Sequence, residues 1–152
     1  MGKKAPTAKM SRAYLTALGY TCVGVETRIP GTYRSRDLCG CDMLAMAPAE
    51  PLTLVQFTTR DHGNMKYRIE KLAHLEDAIA WVRSGGRILV HGWMRPNRSR
   101  KSWEVDEVEL VIRPYDHVGT EFYLVQRATA PSHPTGIVQR THTAAGKAVA
   151  DG

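Results

Sequence analysis

The sequence predicts an α/β fold: a central mixed sheet of about five strands flanked by helices, with a C-terminal extension. Three observations predict it. The hydrophobic periods run helix, three strands, helix, two strands. Leu52–Thr58 carries the run Leu-Thr-Leu-Val-Gln-Phe, which suits a buried central strand. Trp103–Ile112 alternates apolar and polar residues, with its acids expected to face outward. No period of about 20–50 residues recurs, so repeat architectures are excluded.

Taken in order, residues 1–10 are small, polar and basic and read as an arm. Ser11 is placed to cap a helix over Arg12–Leu18, with Tyr14, Leu15 and Leu18 on one face and Gly19 as its stop. Tyr20–Glu26 alternates and is rich in β-branched residues, which predicts the first strand. Arg28–Gly40 reads as a basic loop. Cys41–Met46 is the second strand, 48–51 a turn, and Leu52–Thr58 the third strand. Asn64 is placed to cap the helical spacing of Met65–His74, and Glu76–Ser84 follows until Gly85-Gly86 stops it. Arg87–Met94 is the fourth strand and Trp103–Ile112 the fifth. Glu121–Gln126 is a further short strand candidate. Residues 128–152, rich in Ala, Thr, Pro, Gly and His, read as a flexible tail. The expected organisation is therefore an arm over 1–10, a domain over 11–112 and an extension over 113–152.

The chain has 152 residues, enough for one domain with a substantial core. No apolar run reaches the roughly 20 residues of a membrane span, and no apolar stretch follows the basic N-terminus, so neither a span nor a signal peptide is expected. The three cysteines, Cys22, Cys39 and Cys41, are an odd number without a secretory signal, which points to reduced thiols. Cys39-Gly-Cys41 lacks the spacing and the second ligand pair of a zinc site. Charge is unevenly spread. Residues 1–101 hold 17 Lys+Arg against 8 Asp+Glu, whereas 102–112 hold four acids and no base. A basic surface of this kind attracts phosphate backbones; the plain alternative is a solubilising surface that binds nothing.

The chemistry concentrates in Asp42 and in Gln56-Phe-Thr58. If the second and third strands pair, Asp42 and Gln56 sit side by side, and a backbone carbonyl beside Gln56 adds an oxygen. Hard oxygen donors of this kind suit magnesium, which takes one or two carboxylates and keeps waters. The helix–strand order over residues 11–112, Arg36-Asp37-Leu-Cys-Gly40 before the acid, Gly40-Cys-Asp42-Met-Leu, and Gln56-Phe-Thr58 together resemble the PD-(D/E)xK nuclease-like superfamily. The likeness is to its small phage and prophage proteins related to Holliday-junction resolvases and restriction endonucleases.

The resemblance implies a restriction-endonuclease-like fold, DNA as partner, and magnesium (or manganese) as the ion if the site is active. It implies a homodimer or a larger phage assembly as the setting, in the host cytoplasm or the virion. Asp42 would be the principal ligand, Gln56 would stand where Glu is usual, and Glu26 would be an additional acid. Thr58 departs from the pattern, because the family places Lys there. Arg60, Lys66 and Arg68 are the cations able to compensate, with Lys66 the first choice. The alternative the departure raises is an inactive nuclease-fold scaffold, acting as a virion, DNA-packaging or host-interaction component.

A second basic cluster, Arg95, Arg98, Arg100 and Lys101, lies between Trp93 and Trp103. It reads as a hairpin contacting DNA together with Arg34 and Arg36, or else as a solvated tip whose tryptophans pack inward. An RNA-binding domain ranks lower, because no aromatic RNA-binding strand motif is present. The six histidines have no metal-ligand spacing, and no nucleophile elbow or phosphate-binding glycine loop occurs.

Overall fold

The structure is a computed structural model that describes residues 5–113 and 122–128. Helix α1 (Thr7–Ala17) leads into β1 (Thr21–Gly24), then a small hairpin of β2 (Thr27–Arg28) and β3 (Ser35–Arg36). Strands β4 (Met43–Met46) and β5 (Thr53–Thr59) follow. A 3-10 turn (Asp61–Gly63) leads to α2 (Asn64–Ala73) and α3 (Glu76–Arg83). Strands β6 (Arg87–Met94), β7 (Glu104–Ile112) and β8 (Leu124–Ala128) complete the order.

The main sheet has six strands in the order β1-β4-β5-β6-β7-β8. Only β5 and β6 run parallel, as the α2–α3 crossover between them requires. The other neighbours are antiparallel. The mixed sheet flanked by helices is as the sequence predicts, and its sixth strand overlaps the short candidate at Glu121–Gln126. That strand, β8, pairs with β7 from beyond Ile112, so the sheet draws on the segment read as an extension. Glu121 and the tail over 129–152 lie outside the described residues.

Strand alternation sorts the core into two clusters. Met43, Ala45, Val55, Leu89 and Trp93 pack against Met10, Tyr14 and Leu15 of α1. Leu54, Ile88, Val90, Val108 and Leu110 face Met65 and Leu72 of α2 and Ala78 of α3. With helices on both faces, Ile88–Trp93 of β6 is buried without interruption.

Helix α1 corrects the N-terminal reading. It begins at Thr7, not Arg12, so residues 7–10 belong to the domain rather than to an arm. Met10, Tyr14, Ser11 and Leu15 recur at helical spacing and all are buried. Ser11 is therefore inside the helix, not its cap. Its Oγ accepts from Trp93 Nε1 at 2.8 Å and lies 3.0 Å from His91 Nδ1. His91 Nε2 in turn meets Glu107 Oε2 at 2.7 Å. Every donor finds an acceptor if the Ser11 hydroxyl donates to Nδ1 and Nε2–H donates to Glu107.

This chain has the residue types of a hydrolase triad, yet Ser11 and His91 are both fully buried and no substrate reaches them. It pins α1 to the sheet. It also corrects the expectation that the β7 acids face outward, since Glu107 turns into the core. Replacing Ser11 with Ala strips His91 Nδ1 of its partner in a buried site. It should cost about 1–3 kcal/mol, read as a lower urea midpoint with an unchanged slope.

Candidate active site and nucleic-acid interface

The register of β4 on β5 builds the site. Met43 lies opposite Val55 and Ala45 opposite Thr53, so the same pairing carried one residue further sets Asp42 across from Gln56. Asp42 precedes β4 and is fixed by its backbone: its N–H donates to Val55 O at 3.1 Å, and its carbonyl accepts from Val25 N at 3.0 Å. Just before it, the Asp37–Cys41 turn holds Gly40 at φ +77°. A Cβ on Gly40 would come within 2.7 Å of Leu72 Cδ2 on α2 and 2.8 Å of Leu75 Cδ2 before α3, and any side chain at this positive φ is strained, so glycine suits the turn where it presses on these leucines. Asp37 Oδ1 accepts from Gly40 N at 3.2 Å and closes the turn.

The buried Gln56 amide points its Nε2 at Asp42 Oδ2, 2.8 Å away, and at the Phe57 carbonyl, 3.3 Å away. Two oxygens thus converge on one point, which the amide nitrogen fills. Above them opens a cleft of about 720 Å³, lined by Glu26, Asp37, Asp42, Thr58, Arg68, Lys71 and Arg95 among others. Asp42 feels all of its neighbours. Burial raises its carboxyl above the ordinary value and the Glu26 charge adds to the rise; Arg68 and the Gln56 hydrogen bond oppose it, and Asp37 adds a little more.

Among the described residues no three His, Cys, Asp or Glu side chains are grouped closely enough to cage an ion unaided. Magnesium does not require such a cage. Asp42 Oδ2 and the Phe57 carbonyl, with Gln56 Oε1 once the amide is turned over, form a hard-oxygen donor set. The repulsion among Asp42, Glu26 and Asp37 is of the kind a cation relieves. The residues fit a divalent ion on that condition, with Glu26 at the rim.

The structure separates the compensating cations. Arg68 and Lys71, three apart on α2, flank its buried Met65–Leu72 stripe on the side of the cleft. Lys66 lies on the opposite flank. Its side chain is 81% exposed, reaches Glu70 at 3.8 Å, and lines a separate groove with Arg60 and Asp106. Helical rotation of about 100° per residue accounts for this: two positions from Lys66 to Arg68 cross to the other side of the helix. Lys66 is therefore not beside Asp42, and Arg60 is engaged with Asp106 at 3.2 Å. Lys71 and Thr59 are cleft residues the sequence reading passed over. The i, i+3 spacing of Arg68 and Lys71 was the signal available.

The basic elements also divide. Arg34 and Arg36 lie on or beside β3, all exposed. Arg28–Gly40 is not simply a loop, since β2 and β3 pair within it. Arg95 reaches the cleft while its Nε holds Asp61 at 2.8 Å. Arg100 folds back, donating to the Arg95 carbonyl at 2.8 Å and to Glu104 at 3.1 Å, so it braces the 95–103 loop. Arg98 and Lys101 are exposed. Trp93 and Trp103 are buried in the core, so both tryptophans at the base of this loop pack inward.

The raised Asp42 carboxyl has a stability consequence. The folded state binds that proton more tightly than the unfolded chain does. Its contribution is therefore most favourable below the unfolded value and is lost as pH rises through the folded one. Asp42→Asn should raise Tm near neutral pH, and the gain should disappear on titration to acid, as followed by thermal melts across pH.

No helix among the described residues is long and apolar enough to cross a membrane. The chain matches no family model, no curated protein and no solved structure.

Proposed function

We propose that this chain binds DNA and hydrolyses a phosphodiester at the Asp42 cleft with magnesium or manganese. One observation carries the reading. Asp42, which accepts from the buried Gln56, and Phe57 line a cleft together with Arg68, Lys71 and Arg95. Acidic and carbonyl oxygens beside a row of cations are the complement of a phosphate with a divalent ion.

The bound ion would be held by Asp42, the Phe57 carbonyl and a turned Gln56, and it would supply an activated water and charge neutralisation at phosphorus. The chain's own residues do the rest. Arg68 and Lys71 take the phosphate oxygens and stabilise the added charge of the transition state. Arg95, held by Asp61, steers the backbone at the cleft mouth. Thr58 contributes a neutral hydroxyl, so the cationic role usual two residues past Gln56 passes to α2.

A second reading has its own observation. Gln56 Nε2 donates to Asp42 Oδ2 at 2.8 Å, and that bond suits an inactive scaffold that uses the same cleft only to hold DNA.

The experiment is incubation with supercoiled, linear and branched DNA, with metal or chelator. Metal-dependent cutting should fall roughly 100-fold or more in Asp42→Ala and about tenfold or more in Arg68→Ala, while Lys66→Ala stays near wild type. DNA binding with no cutting by any variant selects the scaffold. Loss in Lys66→Ala with Arg68→Ala unaffected would overturn the assignment of the cations. Neutralising Arg98 and Lys101 should lower the salt slope of DNA binding by up to about 2. An unchanged slope removes that loop from the interface.

A further inference from the structure

The β2–β3 hairpin stands apart from the six-stranded sheet and pairs only with itself. Its sequence, Thr27-Arg-Ile-Pro-Gly-Thr-Tyr-Arg-Ser-Arg36, holds three arginines and no acid. No ion pair occupies Arg28, Arg34 or Arg36 among the described residues, although each is exposed. The hairpin borders the cleft, because Ser35 lines it with the flanking Glu26 and Asp37. Arg28 pairs with Ser35 and shares its face.

The tip is preorganised. Pro30 and Gly31, the latter at φ +75°, form the corner of a turn in which Thr32 N donates to Ile29 O at 3.2 Å. The Thr32 hydroxyl donates to that carbonyl at 3.1 Å and accepts from Arg34 N at 3.1 Å. Ile29 N closes the ladder on Arg34 O at 2.9 Å. The backbone on both sides of Tyr33 is thus tied down, yet the Tyr33 side chain is 104% exposed. The fold gains nothing from burying this ring. A rigid turn that displays a bare aromatic among unpaired arginines is a stacking platform: the ring offers a π-face, and the guanidiniums offer phosphate contacts on either side.

We propose that this hairpin receives an unpaired base of DNA beside the Asp42 cleft: Tyr33 stacks on the base, Arg28 holds a phosphate on the face it shares with Ser35, and Arg34 and Arg36 hold phosphates on the hairpin's other face. The inference rests on the DNA-binding reading above and deepens it by naming the substrate class. A base inside a duplex has both faces covered by its neighbours, so a ring at a hairpin tip engages one only where pairing is broken. Single-stranded, gapped or branched DNA meets that condition.

The test uses full-length protein and fluorescence anisotropy with a single-stranded oligonucleotide, its blunt duplex, and a gapped duplex carrying 2-aminopurine in the gap. The wild type should bind single-stranded and gapped DNA more tightly than blunt duplex and should quench the 2-aminopurine. Tyr33→Ala should weaken binding to the unpaired substrates about tenfold or more, abolish the quench and leave blunt-duplex affinity unchanged. Tyr33→Phe should retain both properties, because the ring rather than the hydroxyl stacks. The ring touches nothing in the fold, so an unchanged melting curve for Tyr33→Ala certifies the comparison. Equal binding of paired and unpaired DNA by the wild type, or an unaltered Tyr33→Ala, overturns the hairpin's role while the cleft reading stands. Failure of the wild type to bind any of the three DNAs overturns both.

Discussion

The pairing register of β4 on β5 is the constraint on which the rest depends. Side chains on a strand alternate, so a slip of β4 by one residue would turn Asp42 to the α1 face, away from Gln56, and carry Met43 out of the α1 core. Two features hold the register. Apolar residues of both strands are committed to opposite cores, Met43, Ala45 and Val55 toward α1 and Leu54 toward α2 and α3. The glycine at position 40 lets the preceding turn seat against Leu72 and Leu75, which fixes where β4 begins. The same helix that receives this turn carries Arg68 and Lys71. One packing contact therefore sets the acid and the cations relative to each other.

How far the sequence reveals this differs by element. The Asp42–Gln56 juxtaposition was legible, because it follows from strand alternation and a short turn, and both are local. The strands β5 and β6 were legible from their apolar runs. The start of α1 was not. Thr7–Met10 reads as polar and basic, and its helical face becomes visible only once Met10 and Ser11 have a sheet to pack on. The identity of the cation beside Asp42 was obscured for a related reason. Lys66, Arg68 and Lys71 lie within six residues, and choosing among them requires the helix phase relative to the sheet. The inner stripe of Met65, Ile69 and Leu72 sets that phase, and it was readable in principle from the same spacing. Strand β8 (Leu124–Ala128) overlaps the short candidate at Glu121–Gln126, so a further strand here was legible, whereas its bounds and its pairing with β7 were tertiary facts that no local pattern carried.

The basic residues show how charge in a sequence overstates an interface. Of the cluster after Trp93, Arg100 spends its guanidinium on the Arg95 carbonyl and Glu104, and Arg95 is partly spent on Asp61. Surface pairs of this kind contribute little to stability, but they fix loop shape and remove donors from the pool available to a ligand. The β2–β3 arginines have no such commitments among the described residues. A segment that reads as a loop in the sequence thus keeps its cations available among the described residues.

Two hydrogen-bonded chains in this molecule use similar chemistry to opposite ends. Ser11, His91 and Glu107 combine a hydroxyl, an imidazole and a carboxylate in the order expected of a nucleophilic site. Every partner is internal, and Ser11 and His91 are sealed beneath α1 with Glu107 mostly buried beside them, so the polarity is spent on holding a helix. Asp42 and Gln56 form a single bond, yet Asp42 is only partly buried, lines a cleft and is crowded by Glu26 and Asp37. A bond that fully satisfied the pair would leave no reason for like charges to gather around it. The Gln56 amide quiets one carboxylate oxygen, and the remaining acidic surplus faces solvent and a row of cations. Residue identity alone would rank the first chain as the catalytic one. Exposure and unrelieved charge lie at Asp42 instead.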